Sequence, residues 1–174
     1  MNLPKEISRE EVFKKYGRAI DKVMLEMPDG RQVDFYLRRD GHPVVVLALT
    51  SENKVILFKQ FRPGPGCLLA EMPGGMMEKN ETPEQAIARE LLEETGYKGE
   101  IEFVTRCWDC AYTDMHRYCF VARDCKKVCE PQHNENENGE VMEVSLDEFR
   151  NILRQGEMTD VEAGYLGLDY LKLL

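Results

Sequence analysis

The sequence predicts an α/β sandwich: a mixed sheet held between helices, with a β-hairpin added at its N-terminal end. Three observations carry this. Residues 43–49 (PVVVLAL) form a short run that is apolar on both faces, as a central strand requires. Several further short apolar runs follow, bounded by turn residues, on either side of one strongly helical segment. Two more capping boxes near the end of the chain open two further helices.

Residues 1–16 read as a loose lead-in. From Arg18 to Met27 the pattern alternates, with Val23, Leu25 and Met27 on one side. Pro28-Asp29-Gly30 marks a turn, after which Val33, Phe35 and Leu37 alternate. Such a hairpin is too small to bury its own apolar face, so it must pack on the main domain or on another subunit. The expected division is 1–40 for the hairpin region and 41–174 for the main domain.

Within the main domain, Pro43–Leu49 and Val55–Phe61 are strands joined by a tight turn at Ser51-Glu52-Asn53. Arg62-Pro63-Gly64-Pro65-Gly66 is a rigid loop, and Leu68–Met72 a short strand running into Pro73-Gly74-Gly75. Beyond the central helix, strands are expected over Ile101–Cys107, His116–Arg123 and Glu140–Val144, with a polar, acidic loop over 130–139. Ser145-Leu146-Asp147-Glu148 opens a helix that ends at Gly156. Thr159-Asp160-Val161-Glu162 opens the last one, with Ala163, Leu166, Tyr170 and Leu173 on one face.

The central helix has both ends written into it. Thr82 is an N-cap, Pro83 stands where a helix tolerates proline, Gln85 completes the capping box, and Gly96 can turn left-handed and stop it. At 100° per residue, Ile87, Ala88, Leu91 and Leu92 form one side. Glu90, Glu93 and Glu94 stack on the other with Arg89 beside them. Like charges at this spacing cost about 0.2–0.5 kcal/mol per pair. The stack is accounted for by a hard divalent cation, Mg2+ or Mn2+, which takes carboxylate oxygens. A merely solvated acidic face is the simpler alternative for a glutamate-rich helix.

Composition excludes several functions. A net charge of −9 argues against a nucleic-acid surface, which is built from clustered Lys and Arg. It leaves room for a phosphate-bearing small molecule if cations neutralise the site. With 43% apolar and 32% charged residues the chain reads as globular, and no apolar run approaches the ~20 residues of a membrane span. The charged N-terminal residues lack a signal-peptide core, so a cytoplasmic address is expected. The six cysteines are then expected as free thiols. Cys107-x-x-Cys110 and Cys125-x-x-x-Cys129 allow a zinc alternative, while Cys119 lies in an apolar run and reads as a core residue.

The full pattern goes beyond the glutamates. Gly75, five residues, Glu81, seven residues, then Arg89-Glu90-Leu91-Leu92-Glu93-Glu94-Thr95-Gly96-Tyr97 matches the Nudix box at each fixed position. Lys59-Gln60-Phe61-Arg62-Pro63, Glu71-Met72-Pro73-Gly74-Gly75 and Gly156-Glu157-Met158-Thr159-Asp160 extend this over roughly residues 18–174. There the chain resembles the ADP-ribose pyrophosphatase branch of the Nudix superfamily.

That resemblance implies an α/β/α sandwich and metal-dependent hydrolysis of a nucleoside diphosphate linked to another group, first among them ADP-ribose giving AMP and ribose 5-phosphate. By the same resemblance the Gly74 carbonyl and the carboxylates of Glu90 and Glu94 hold the metals, and Glu93 is a further ligand or orients a water. Arg89 fixes Glu81 or Glu93, and Arg62 and Glu71 bind substrate. A glutamate of the late acidic loop, Glu140 first and Glu137 second, is general base or extra ligand. The hairpin implies a homodimer. The chain departs from the branch at Cys110-Ala111-Tyr112-Thr113-Asp114, where a proline is usual, and at Tyr97, where an aliphatic residue is commoner and only packing is affected. The alternatives are therefore a GDP-sugar or other nucleotide-sugar pyrophosphatase, and a non-catalytic ADP-ribose-binding sensor.

Overall fold

The computed structural model describes residues 2–132 and 139–174. The chain divides into two units, Met1–His42 with Cys107–Arg117, and Pro43–Arg106 with Tyr118–Leu174.

The first unit is built on an antiparallel sheet of β1 (Lys5–Lys15), β2 (Arg18–Glu26) and β3 (Gln32–Arg38), in the order β1-β2-β3. The expected hairpin is β2–β3, with Glu26 opposite Gln32 across the Pro28-Asp29-Gly30 turn. The expected loose lead-in is instead β1. Its register against β2 slips between Glu6 and Ser8 and again between Glu11 and Phe13, so Ile7 and Val12 fall at bulges. Two bulges in one strand erase the two-residue period by which a strand is read. Asp21 of β2 is 2% exposed and lies between two arginines. Arg39 reaches both its oxygens (3.0 and 3.1 Å) and Arg9 a third contact at 3.0 Å. In the same unit the loop after residue 108 is tied to β3: the Arg38 amide donates to the Tyr112 carbonyl and the Thr113 hydroxyl to the Arg38 carbonyl.

The second unit carries the mixed sheet. Its strands are β4 (Pro43–Thr50), β5 (Val55–Arg62), β6 (Cys67–Glu71), β7 (Gly74–Met76), β8 (Tyr97–Trp108), β9 (His116–Lys127) and β10 (Gly139–Val144), of which 107–108 of β8 and 116–117 of β9 are counted in the first unit. The order is β10-β5-β4-β9-β8, with β6 paired to β5 and β7 to β4. β4 runs parallel to β9 and antiparallel to β5 and β7. β4 is buried from Val44 to Leu49, as its two apolar faces demand.

The helices are α1 (Pro83–Thr95), α2 (Leu146–Gln155) and α3 (Val161–Tyr170). α1 packs in a cluster with Val44, Val46, Ala48, Ile56, Phe120 and Ala122. Both expected ends are present: the Thr82–Gln85 capping box, and Gly96 in the left-handed region at φ 76°. Such a cap contributes about 0.5–2 kcal/mol. The buried stripe is Ala86, Ile87, Leu91, Glu94 and Thr95, whereas Ala88 is exposed. The helix is therefore turned from its apolar axis, and a carboxylate is taken into the buried side.

α3 differs from expectation in two ways. Its buried residues are Ala163, Gly164, Gly167 and Leu168, while Tyr170 is exposed. A Cβ at Gly164 would stand 2.6 Å from the Leu153 side chain of α2, and one at Gly167 would stand 2.9 Å from Leu47 of β4. The glycine face is thus the contact face, and apolar periodicity cannot register it. Nor is Thr159 the cap: Asp160 takes the N-cap position at φ 60° with no side-chain cap hydrogen bond.

Candidate active site

Gly74 and Gly75 run directly under α1, and each is a glycine for a different reason. A Cβ on Gly74 would lie 2.3 Å from the Val44 carbonyl oxygen, because β7 closes tightly on β4. A Cβ on Gly75 would lie 2.3 Å from Glu90 Oε1 and 2.8 Å from Oε2, so the Glu90 carboxylate rests on this residue's backbone. Glu94 Oε2 accepts the Gly74 amide at 2.9 Å, and Glu94 is 7% exposed. The residues at i and i+4 of the helix thus bring two carboxylates onto one glycine pair.

Arg89 organises the rest. Its Nε and Nη2 grip the two oxygens of Glu81 at 2.9 and 3.0 Å, a fork-to-fork pair. Its Nη1 donates to Glu90 Oε1 at 2.9 Å and Glu93 Oε2 at 3.1 Å, and Nη2 also reaches the Met76 carbonyl at 3.2 Å. Arg89, with the Glu78 amide behind it, holds the Glu81 carboxyl below its usual range. In return the surrounding carboxylates, Glu81 foremost, raise the guanidinium well above its ordinary value. The repulsion that the sequence posed among the glutamates is relieved from within the helix. Glu93 keeps 44% of its side chain exposed beside this network.

A second group lies at the ends of β5 and β6. Glu71, 2% exposed, accepts Arg62 Nε at 2.5 Å on Oε2 and the Thr159 hydroxyl on Oε1. Arg62 remains 41% exposed. The sequence offers Thr159 as a helix cap and as part of the Gly156–Asp160 ending, and the Thr-x-x-Glu spelling masks its bond to a residue far away in the chain.

Glu140 is exposed and stands opposite Lys59 in the β10–β5 pairing. Its neighbour Val141 packs against the cluster that contains α1. Alternation therefore turns Glu140 to the other face of the sheet, away from the carboxylates of α1. The structure does not bring it to Glu90, Glu93 and Glu94, and Glu137 lies outside the described residues.

The donors suit a hard cation: Glu90 and Glu94 meet at a glycine pair whose backbone supplies further oxygens, and Glu93 is open to solvent. Among the described residues no three of His, Cys, Asp and Glu already form a metal cage. The cysteines are free thiols, with Cys119 and Cys125 buried.

The family model for the NUDIX domain matches residues 41–162, which contain the glycine pair, α1 and the Arg62–Glu71–Thr159 group. This chain is a Nudix hydrolase. An ADP-ribose pyrophosphatase of Bacillus subtilis is 33% identical over 97% of this chain and 92% of its own length. A methanol dehydrogenase activator of Bacillus methanolicus is 30% identical over the same shares. A GDP-mannose pyrophosphatase of Cronobacter sakazakii is 31% identical over 76% of this chain and 74% of its own. The crystal structure of an ADP compounds hydrolase superposes with a TM-score of 0.85 over 99% of this chain and 96% of that one; at 20% identity this establishes the shared Nudix fold. No helix of the described Nudix chain is long and apolar enough to cross a membrane.

Proposed function

We propose that this Nudix hydrolase cleaves the diphosphate of ADP-ribose with Mg2+ or Mn2+, giving AMP and ribose 5-phosphate. The observation that carries the reading is the pairing of Glu90 and Glu94 on Gly74–Gly75. It appears in a chain that aligns nearly end to end with an ADP-ribose pyrophosphatase.

Glu90, Glu94 and the Gly74 carbonyl would hold the cation, with Glu93 as a further ligand. Bound there, the ion supplies charge neutralisation and Lewis acidity to an acidic site that must accept a dianionic diphosphate. Arg62, held by Glu71, binds and orients that diphosphate as a guanidinium fork suits. Arg89 holds Glu90 and Glu93 in place and does not touch substrate. Glu93, half open to solvent, orients the attacking water; one P–O bond to water forms as the bridging P–O bond breaks. Glu140 is not favoured as the base, given its side of the sheet, and we infer that Glu137, the second candidate of the sequence, accepts the proton.

A homodimer is part of the proposal. β1 is exposed along its whole length and carries Ile7, Val12 and Phe13, apolar surface suited to a second subunit. Light scattering on the purified protein tests it, and a monomer at micromolar concentration removes it.

The GDP-mannose pyrophosphatase relative supports a second reading, cleavage of a GDP-sugar. A panel of nucleoside diphosphate derivatives incubated with the enzyme and Mg2+ decides between the two. AMP and ribose 5-phosphate from ADP-ribose support the first, and GMP from GDP-mannose supports the second. No cleavage of any member, with ADP-ribose still bound, replaces both with a binding role.

A further inference from the structure

We propose that Thr159 is a positioning residue for Arg62, acting through the buried carboxylate of Glu71, so that the segment ahead of α3 sets how the site grips its anionic substrate. The diphosphate identity of that substrate rests on the function proposed above. The relay itself rests on geometry.

Glu71 ends β6 opposite Phe58, at 2% exposure. A carboxylate in that place needs donors on both oxygens. It has one on each: Arg62 Nε on Oε2, and the Thr159 hydroxyl on Oε1. Two donors on opposite oxygens fix the rotation of the carboxylate, and the fixed carboxylate fixes the plane of the guanidinium. Arg62 is clamped by Nε while its side chain as a whole stays 41% exposed.

A second observation is the chain around Thr159. The spelling Thr-Asp-Val-Glu would ordinarily place the threonine at a helix N-cap. Here the helix starts one residue later, at Val161, and Asp160 adopts φ 60° with no side-chain cap hydrogen bond. Positive φ is uncommon outside glycine, although aspartate tolerates it better than most residues. The preceding Met158 is 6% exposed. The helix start thus gives up a cap that its own sequence offers, and the hydroxyl goes to a residue 88 positions away. That exchange makes sense if the orientation of Glu71, and through it Arg62, is what the threonine secures.

Without the hydroxyl, Oε1 of Glu71 faces the interior with no donor. The carboxylate is then free to rotate, and that rotation loosens Arg62. The lost contact serves binding of substrate and transition state alike, so KM should rise while kcat holds.

The test compares Thr159→Val and Thr159→Ser with the wild-type enzyme, using ADP-ribose, or whichever panel member is cleaved, with Mg2+. Thr159→Val is expected to raise KM by about tenfold with kcat within about threefold, and Thr159→Ser to restore KM. In the Arg62→Ala background, Thr159→Val should add little further to KM, since the two act as one unit. Equal KM for Thr159→Val and wild type, or full additivity with Arg62→Ala, overturns the proposal. A substrate-free readout separates it from the functional reading: the Arg62 Nε–H resonance, assigned by its disappearance in Arg62→Lys, should be protected from water exchange in wild type and Thr159→Ser and exchange rapidly in Thr159→Val. Protection that persists in Thr159→Val overturns the relay whatever the substrate. Loss of protection in Thr159→Val alone supports it even if the panel yields no cleavage, an outcome that sinks only the functional reading.

Discussion

Glu94 accepts the backbone amide of Gly74 at 2.9 Å, joining the last turn of α1 to the glycine pair that precedes it in the chain. The bond explains why α1 buries a carboxylate along with Ile87 and Leu91. A buried carboxylate needs a donor, and a glycine amide brought within reach by the closeness of β7 to β4 provides one. α1 and β7 are therefore set in register by a polar contact inside the proposed cation site.

Glu94→Gln should retain the fold and lower turnover by about 10²–10³, the scale of losing one preorganised electrostatic contact. The amide oxygen can still accept the Gly74 amide, so the thermal midpoint should change little. Steady-state kinetics beside a melting curve check this. Near-normal turnover at saturating Mg2+ would remove Glu94 from the proposed ligand set.

The two glycines should fail differently. In Gly75→Ala the new methyl meets the end of a flexible side chain, Glu90, which can move aside. Stability should be nearly kept while apparent Mg2+ affinity falls by about 10–100-fold, as when a ligand loses its support. In Gly74→Ala the methyl meets the Val44 carbonyl, which cannot move without parting β7 from β4. A loss of about 1–3 kcal/mol is expected there. Calorimetric melting and Mg2+ titration of activity separate the two, and matching behaviour would contradict the assigned contacts.

Much of this was legible in the sequence, for identifiable reasons. The caps of α1 and α2 are local, because Thr82–Gln85 and Ser145–Glu148 close within one turn. β4 was readable because it is buried on both faces. What escaped depended on partners distant in sequence or on a broken period. β1 hides behind its bulges at Ile7 and Val12. The contact face of α3 is made of glycines. Thr159 looks like a cap because its actual partner, Glu71, belongs to another strand. The side of the sheet that Glu140 faces depends on its register with Lys59, which no local pattern shows.

Asp21 gives the N-terminal sheet an acid limit. Arg39, then Arg9, hold its carboxyl below the ordinary value. A carboxylate with a depressed folded pKa contributes stability that is full above its unfolded pKa and is lost as pH falls through the folded one. Protection of the β1–β3 amides should therefore decline as pH drops below the usual aspartate range. Asp21→Asn should lower that protection at neutral pH and flatten its acid dependence. Hydrogen exchange of β1–β3 between neutral and acid pH measures both, and an unchanged acid profile in the variant would show that Asp21 does not set the limit.

Tyr97 gives the second unit an alkaline limit. It follows the cap of α1, is 8% exposed, and donates its hydroxyl to Glu143 of β10 at 2.5 Å. Burial first, and the Glu143 bond second, push its pKa up to about 12 from the ordinary 10.0. Because the folded pKa is raised, the stabilisation is complete below pH 10 and is lost as pH climbs toward 12. Cys125 in the same cluster is raised by burial to about 11 from 9.0, so it adds a decline that begins lower. Tyr97→Phe should cost about 1 kcal/mol near neutral pH, the net worth of such a bond when Glu143 keeps Lys54 at 3.6 Å. It should also remove the upper part of the alkaline loss and leave the lower part to Cys125. Denaturant unfolding at pH 8, 10 and 11.5 tests this directly. If the variant loses stability above pH 10 as steeply as the wild type, the titrating group lies elsewhere, and the Tyr97–Glu143 bond serves packing alone.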